Sequence, residues 1–180
     1  VGSGAFDIDF FTHCHNEGYN NLFRKESGCN VFESEGNSYF RKDGNGECKT
    51  FLEYLKHSLN KIKGKGYVSV VTGNHDLPRI SIDRNVDEMK CAFAMILALP
   101  CVPLIYYGDE IGMSYYKGLN KDGGYQRTGS RTPMQWSSGK NAGFSSAEEL
   151  YLPINADFKE CNVEHSIKDA KSLYNTVKRL

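Results

Sequence analysis

Side chains suited to binding a polar substrate stand directly after a short apolar stretch. Asn74, His75 and Asp76 follow the run Tyr67 to Thr72, and Arg79 comes three residues after the aspartate. In parallel α/β folds the carboxyl ends of the strands carry ligand-binding and catalytic groups. The sequence therefore predicts one edge of an active site here. The alternative is a capping turn in which Asp76 only accepts hydrogen bonds from nearby backbone N–H groups.

Alternating strands and helices must position these residues. The run Tyr67 to Thr72, between two glycines, is typical of a strand buried on both faces. Apolar residues at steps of three and four predict amphipathic helices from Glu47 to Lys63 and from Val86 to Leu99. The second opens with the capping-box pattern of Asn85 and Glu88, and a second apolar strand is predicted at Val102 to Tyr107. Strand, helix and strand in this order indicate an α/β fold with a parallel sheet.

The two ends of the chain are harder to interpret. Ala5 to His13 alternates apolar and polar residues as a strand does, and mostly loop is expected after it, to Asp43. A long loop is predicted at about 114 to 163, rich in Gly and Ser up to Pro153, and loops of this length are usually functional. A third amphipathic helix is predicted from Ser166 onward. Its apolar face would contain Ile167, Ala170, Leu173, Tyr174 and Val177.

Composition excludes several classes of function. The chain has 180 residues and balances 22 basic against 22 acidic residues, so neither nucleic acid nor an anionic membrane is an expected partner. Its longest apolar run, around Ala92 to Leu99, is too short to span a bilayer. There is no signal-like start, and Cys48 and Cys91 fall on predicted apolar helix faces, where free thiols are typical of a reducing compartment. The thiols favour a cytoplasmic location, while the start of the chain leaves export undecided.

The cysteines and histidines do not form a recognisable metal motif. The six cysteines are irregularly spaced and contain no Cys-x-x-Cys pair, which is poor support for zinc. His13, Cys14 and His15 are adjacent, and adjacent strand residues point to opposite faces, so they would not converge on one ion. No metal site and no cofactor are predicted.

Four motifs, in order, are similar to those of one known family. They are Gly73 to Arg79, Val102 to Met113, Arg131 to Trp136, and Asn141 to Ser145. Together they resemble the alpha-amylase superfamily of glycoside hydrolases, and within it the alpha-glucosidases, oligo-1,6-glucosidases and trehalose synthases. The resemblance implies a (β/α)8 TIM barrel. It places Ala5 to His13 near strand six, Tyr67 to Asp76 at strand seven and Val102 to Tyr107 at strand eight.

On this resemblance, residues 1–180 are the C-terminal portion of the catalytic domain, an incomplete second half of the barrel. The family nucleophile and acid/base would precede Val1, in the missing N-terminal half. Asp76 matches the third family carboxylate, which grips the reacting sugar and stabilises the transition state. His75 matches the histidine that binds the same sugar, and the other expected substrate-binding residues are Asn74, Arg79, Arg127 and Arg131. For the arginines, a structural salt bridge remains an alternative.

The implied activity is that of a retaining alpha-glucosidase-like enzyme acting on short alpha-linked glucosides, by hydrolysis or transglycosylation. An oligosaccharide is the implied partner. Three alternatives remain: a glucosyl transferase similar to trehalose synthase, a non-catalytic scaffold similar to the accessory heavy chains of amino-acid transporters, and a stand-alone sugar-binding module. The open edges and unfilled core of three barrel strands disfavour the last. Ser137 stands where many family members carry Asp, so the linkage preference is left open.

Overall fold

A computed structural model of the protein describes residues 8–11, 40, 42, 49–76, 78–82 and 84–180. Short strands alternate with two longer helices, and two short helices follow near the C-terminus. In chain order the elements are β1 Ile8–Phe11, α1 Lys49–Ile62, β2 Tyr67–Val71, α2 Val86–Ala98, β3 Val102–Leu104, α3 Val163–Lys168 and α4 Leu173–Arg179. The 3-10 helices are Asp109–Ile111, Tyr125–Ser130 and Lys140–Gly143.

The three strands form one parallel sheet in the order β1-β2-β3. Asp9 pairs with Val68 in the first ladder, and Val70 pairs with Pro103 in the second. This confirms the parallel sheet predicted from the strand-helix-strand pattern. The first predicted strand appears as Ile8–Phe11. The flanking residues, the side chains of β1, the His13 to His15 cluster and most of the loop up to Asp43 lie outside the described residues.

The central strand β2 is buried as predicted from Val68 onward. Val68 and Val70 pack against the helices in the main hydrophobic core. The other buried members of this core are Leu55, Ile62, Ile80, Met89, Ala92, Phe93, Ile96 and Leu173. The third strand, by contrast, leaves Pro103 and Leu104 exposed. In the described part of the sheet β3 is the last strand, and only β2 flanks it.

The first two helices match their predicted bounds to within two residues. Asn85 caps α2 in a capping box, in which its side chain accepts from the Glu88 N–H at 3.0 Å and the Glu88 carboxylate accepts from the Asn85 N–H at 2.8 Å. Cys91 is exposed, so its predicted position on the apolar face was wrong. Cys48 lies outside the described residues. No helix in the described ranges is long and apolar enough to cross a membrane.

The single C-terminal helix predicted from Ser166 was also wrong, because two short helices stand there. Asn162 caps α3 by accepting from the His165 N–H, and Ser172 caps α4 by accepting from the Asn175 N–H. The side chain of Asn175 donates to the carbonyls of Ser166, Ile167 and Asp169 and so satisfies groups that a continuous helix would pair internally. Local capping therefore outweighed the apolar periodicity.

The long loop is more ordered than its composition predicted. Two of the 3-10 helices lie in it, and Gln135 and Asn155 are buried. The backbone carbonyl of Gln135 accepts from the Val163 N–H at 3.0 Å, and the side chain of Asn155 donates to the Ser114 carbonyl at 2.6 Å. Both bonds join parts of the loop to each other or to the start of α3, so they order the loop internally.

Candidate functional site

Asp76 is the centre of a cluster of polar side chains just beyond the carboxyl end of β2. Its Oδ1 accepts from Arg127 Nη1 and from Arg131 Nη2, both at 3.1 Å. Its Oδ2 lies 3.3 Å from His75 Nε2. The Asp76 side chain nevertheless stays 44% exposed. Two guanidinium groups thus orient a carboxylate that a ligand can still reach.

The backbone around Asp76 is fixed by the neighbouring residues. Asn74 Oδ1 accepts from the Asp76 N–H at 2.7 Å and closes the turn. Arg131 Nε donates to the His75 carbonyl at 2.9 Å. The turn is thus closed by the Asn74 side chain, while the Asp76 carboxylate is directed at the two arginines. This geometry favours a binding role for Asp76 over a capping role.

The two arginines come from a separate arm, the 3-10 helix Tyr125–Ser130 and the residue after it. The arm is packed close to its support: a Cβ on Gly129 would lie 2.3 Å from the Tyr116 carbonyl oxygen. Tyr106 and Tyr107, just after β3, donate their hydroxyls to the carbonyls of Ser130 and Thr132, at 3.1 and 2.7 Å. The tyrosines therefore position the arginine arm, which sequence reasoning did not predict.

Arg79 lies beneath the site, which differs from its predicted role as a substrate-binding residue. Its side chain is fully buried, and Nη1 donates to the Tyr107 carbonyl at 2.6 Å and lies 3.4 Å from Asp109 Oδ1. Its guanidinium carbon lies 5.3 and 4.9 Å from the ring centres of Tyr106 and Tyr107. Pro78 and Arg79 are both buried, so the Arg79 guanidinium cannot contact a ligand in this arrangement.

Asp109 is a fully buried carboxylate directly under the site. Its Oδ2 accepts from the Thr72 hydroxyl at 2.7 Å. Burial raises the pKa of Asp109 to about 6, although the Arg79 guanidinium and the Thr72 hydroxyl both act to lower it. Burial also raises the pKa of its neighbour Glu110. Asp109 and Glu110 lie within the motif Val102 to Met113, and nothing in the sequence singled out Thr72.

A cavity of about 560 Å³ adjoins the site through Arg131. Its lining is mostly aromatic and aliphatic, and Trp136 and Tyr151 are 51% and 64% exposed. The other lining residues are Tyr107, Glu110, Pro133, Met134, Phe144, Leu150 and Leu152. In the described part of the chain, no group of three or more His, Cys, Asp or Glu side chains is arranged to hold a metal ion.

Comparison with known proteins gives a clear family match. The family model described as "Alpha amylase, catalytic domain" matches residues 10–180. The chain is 37% identical over 111 residues to maltase A2 of Drosophila melanogaster, covering 61% of this chain and 20% of that protein. It is 30% identical over 130 residues to the amino acid transporter heavy chain SLC3A1 of Mus musculus, covering 71% of this chain and 19% of that protein.

Solved structures agree with the family match. A crystal structure of a mutant of the trehalulose synthase MutB in complex with Tris superposes with a TM-score of 0.63 at 25% identity, covering 72% of this chain and 30% of that one. The present chain thus spans about a fifth of the length of the two curated relatives and less than a third of this structure.

Proposed function

Since this chain belongs to the alpha-amylase family of (β/α)8 enzymes, we propose that it forms the glucose-binding part of a retaining alpha-glucosidase-like hydrolase. The proposed substrates are short alpha-linked glucosides. We further propose that β1, β2 and β3 are strands six to eight of the barrel. The nucleophile and the acid/base would then come from the part of the protein that precedes this chain.

The observation that carries this proposal is the environment of Asp76. Retaining hydrolysis passes through an oxocarbenium-like transition state, and hydrogen bonds to the sugar hydroxyls that strengthen there lower the barrier. An exposed carboxylate held by Arg127 and Arg131 is suited to accept such bonds, because its oxygens are already oriented before the sugar arrives. His75, 67% exposed beside it, can donate to the same sugar.

The names of the relatives favour this class of substrate. Maltase A2 is named as a maltase, and its match includes more than half of this chain. The similarity to a transporter heavy chain keeps the scaffold alternative open, since that relative is named for transport and not for catalysis. Exposed His75 and Asp76, together with both arginines, favour the catalytic alternative.

Product analysis tests the proposal. The protein that contains this chain, expressed at full length, is incubated with maltose and isomaltose, and the products are followed by NMR. Release of glucose with the alpha configuration at the new anomeric carbon is the expected result. Trehalose as the main product would support the transferase alternative. No reaction with any alpha-glucoside would support the scaffold.

A further inference from the structure

One buried carboxylate holds both ends of the segment that carries Asp76. The segment, residues 73–78, begins after Thr72 and ends before Arg79. Thr72 Oγ1 donates to Asp109 Oδ2 at 2.7 Å, and Arg79 Nη1 lies 3.4 Å from Asp109 Oδ1. The two oxygens of Asp109 therefore bind one flank of the segment each.

The same flanking residues also bind the backbone after β3. Thr72 Oγ1 accepts from the Tyr106 N–H at 2.9 Å, and Arg79 Nη1 donates to the Tyr107 carbonyl at 2.6 Å. The fit is close: a Cβ on Gly73 would lie 3.1 Å from Asp109 Oδ2. Residues 72, 79, 106, 107 and 109 thus form one connected polar network, and Thr72, Arg79 and Asp109 are buried.

We propose that Asp109 is a positioning residue, which with Thr72 and Arg79 fixes segment 73–78 and so holds Asp76 where Arg127 and Arg131 bind it. The proposal rests on the proposed function, since it assigns Asp76 a role in binding the sugar. A displacement of a catalytic group by about 1 Å can cost about a hundredfold in rate. Because Thr72 and Arg79 both bind the buried carboxylate of Asp109, the segment between them is restrained at its two ends, which limits such displacement.

The charge of Asp109 matters for this network. The ionised carboxylate accepts from Thr72 and Arg79 with both oxygens, whereas protonation turns one oxygen into an O–H donor and removes the charge that pairs with Arg79. The ionisable groups that face it are Arg79, Glu110 and Tyr106, the last a phenol whose pKa burial raises well above its usual range. The pKa of Asp109 near 6 implies that activity declines as pH falls through that value. Removal of the Thr72 hydroxyl would raise this pKa further.

The substitutions Thr72→Val and Thr72→Ser test the network without leaving Arg79 as an unpaired buried charge, as Asp109→Ala would. In the full-length protein with maltose as substrate, Thr72→Val should lower kcat about tenfold with a smaller change in KM, and move the acid limb of the kcat profile to higher pH. Thr72→Ser keeps the hydroxyl and should keep the wild-type kcat and acid limb. Equal kcat and equal acid limbs in all three proteins would overturn the proposal.

Hydrogen exchange gives a readout that does not depend on turnover. The amides of residues 73–76 should exchange faster in Thr72→Val than in Thr72→Ser or wild type, while amides of α2 stay protected in all three. If the wild type does not cleave alpha-glucosides but this difference is present, the proposed function fails and the network stands. Unchanged exchange in Thr72→Val would contradict the network even in an active enzyme.

Discussion

Arg131 holds the site through two different nitrogen atoms. Nη2 binds the Asp76 carboxylate at 3.1 Å and Nε binds the His75 carbonyl at 2.9 Å. The Arg127 contact with Asp76 also measures 3.1 Å, but its second bond goes to the carbonyl of Gly124, the residue just before its own arm, at 3.4 Å. Arg131 therefore links the arm to both the side chain and the backbone of the site, and Arg127 links it to the carboxylate alone.

This difference predicts the effects of two matched substitutions. A lysine cannot reproduce two bonds from a planar guanidinium, so Arg131→Lys should lower kcat/KM about tenfold or more. The loss of kcat/KM in Arg127→Lys should be severalfold smaller than the loss in Arg131→Lys. Steady-state kinetics of the full-length protein on maltose measure both values. Lys90, which pairs with Asp87 on the surface of α2, offers the control Lys90→Arg, which should change neither kcat nor KM. An equal loss in both variants would show that the bond to the His75 carbonyl contributes nothing.

At single positions, the sequence predicted the polar cluster around Asp76 but not the buried network of Thr72, Arg79 and Asp109 beneath it. Asp76 and His75 could be identified because they follow a predicted strand and match a family motif. Arg79 could not be placed, because a motif gives the order of residues and not the direction in which a side chain leaves the chain. The burial of its guanidinium depends on Asp109, thirty residues later, and on two tyrosine rings.

Capping decides the shape of the C-terminal elements. Asn162 is 1% exposed, accepts from the His165 N–H at 2.8 Å, and donates to the carbonyls of Phe158 and Lys159 at 2.8 and 3.0 Å. One side chain thus begins α3 and closes the preceding turn. Apolar periodicity carries no information about such bonds, which is why it predicted a single helix from Ser166.

Asn162→Ala should therefore destabilise the protein by about 2 kcal/mol, since it removes a helix cap and the two bonds that the side chain donates to the carbonyls of Phe158 and Lys159. Thermal unfolding of the full-length protein measures the loss as a lower Tm. The matched control is Asn60→Ala, at an exposed position of α1, which should leave Tm within about a degree because it removes no buried bond. A Tm for Asn162→Ala equal to that of the control would contradict the capping account.

Across the whole molecule, apolar side chains at the ends of β2 and β3 lack the cover that a closed barrel provides. Tyr67 is 64% exposed, and Leu104, Ile105 and Tyr107 are 36% to 40% exposed. Both strands are apolar runs, of the kind that a complete parallel barrel buries on both faces. The sequence could predict the parallel sheet, because strand-helix-strand order is local, whereas the burial of a strand depends on every element that packs against it.

We expect the 180-residue chain by itself to elute as an oligomer or aggregate and to release no glucose from maltose. Each large apolar side chain left exposed forgoes about 1.5 to 3 kcal/mol of burial, against a total stability of about 5 to 15 kcal/mol. Size-exclusion chromatography and a glucose assay on the purified chain check both expectations. A monomeric elution volume with a cooperative thermal transition would show that the exposed strands need no partner.

The most direct measurement is the kcat of the full-length Asp76→Asn variant on maltose, taken together with its Tm. The amide keeps the size of the side chain but loses the charge that strengthens its bonds as the oxocarbenium develops, so kcat should fall about a hundredfold or more while Tm stays near the wild-type value. Asp87→Asn, at a side chain that is 89% exposed on α2, is the control and should keep full activity. A near-normal kcat for Asp76→Asn, or a loss of activity that only follows unfolding, would contradict the assignment of Asp76 to the glucose site.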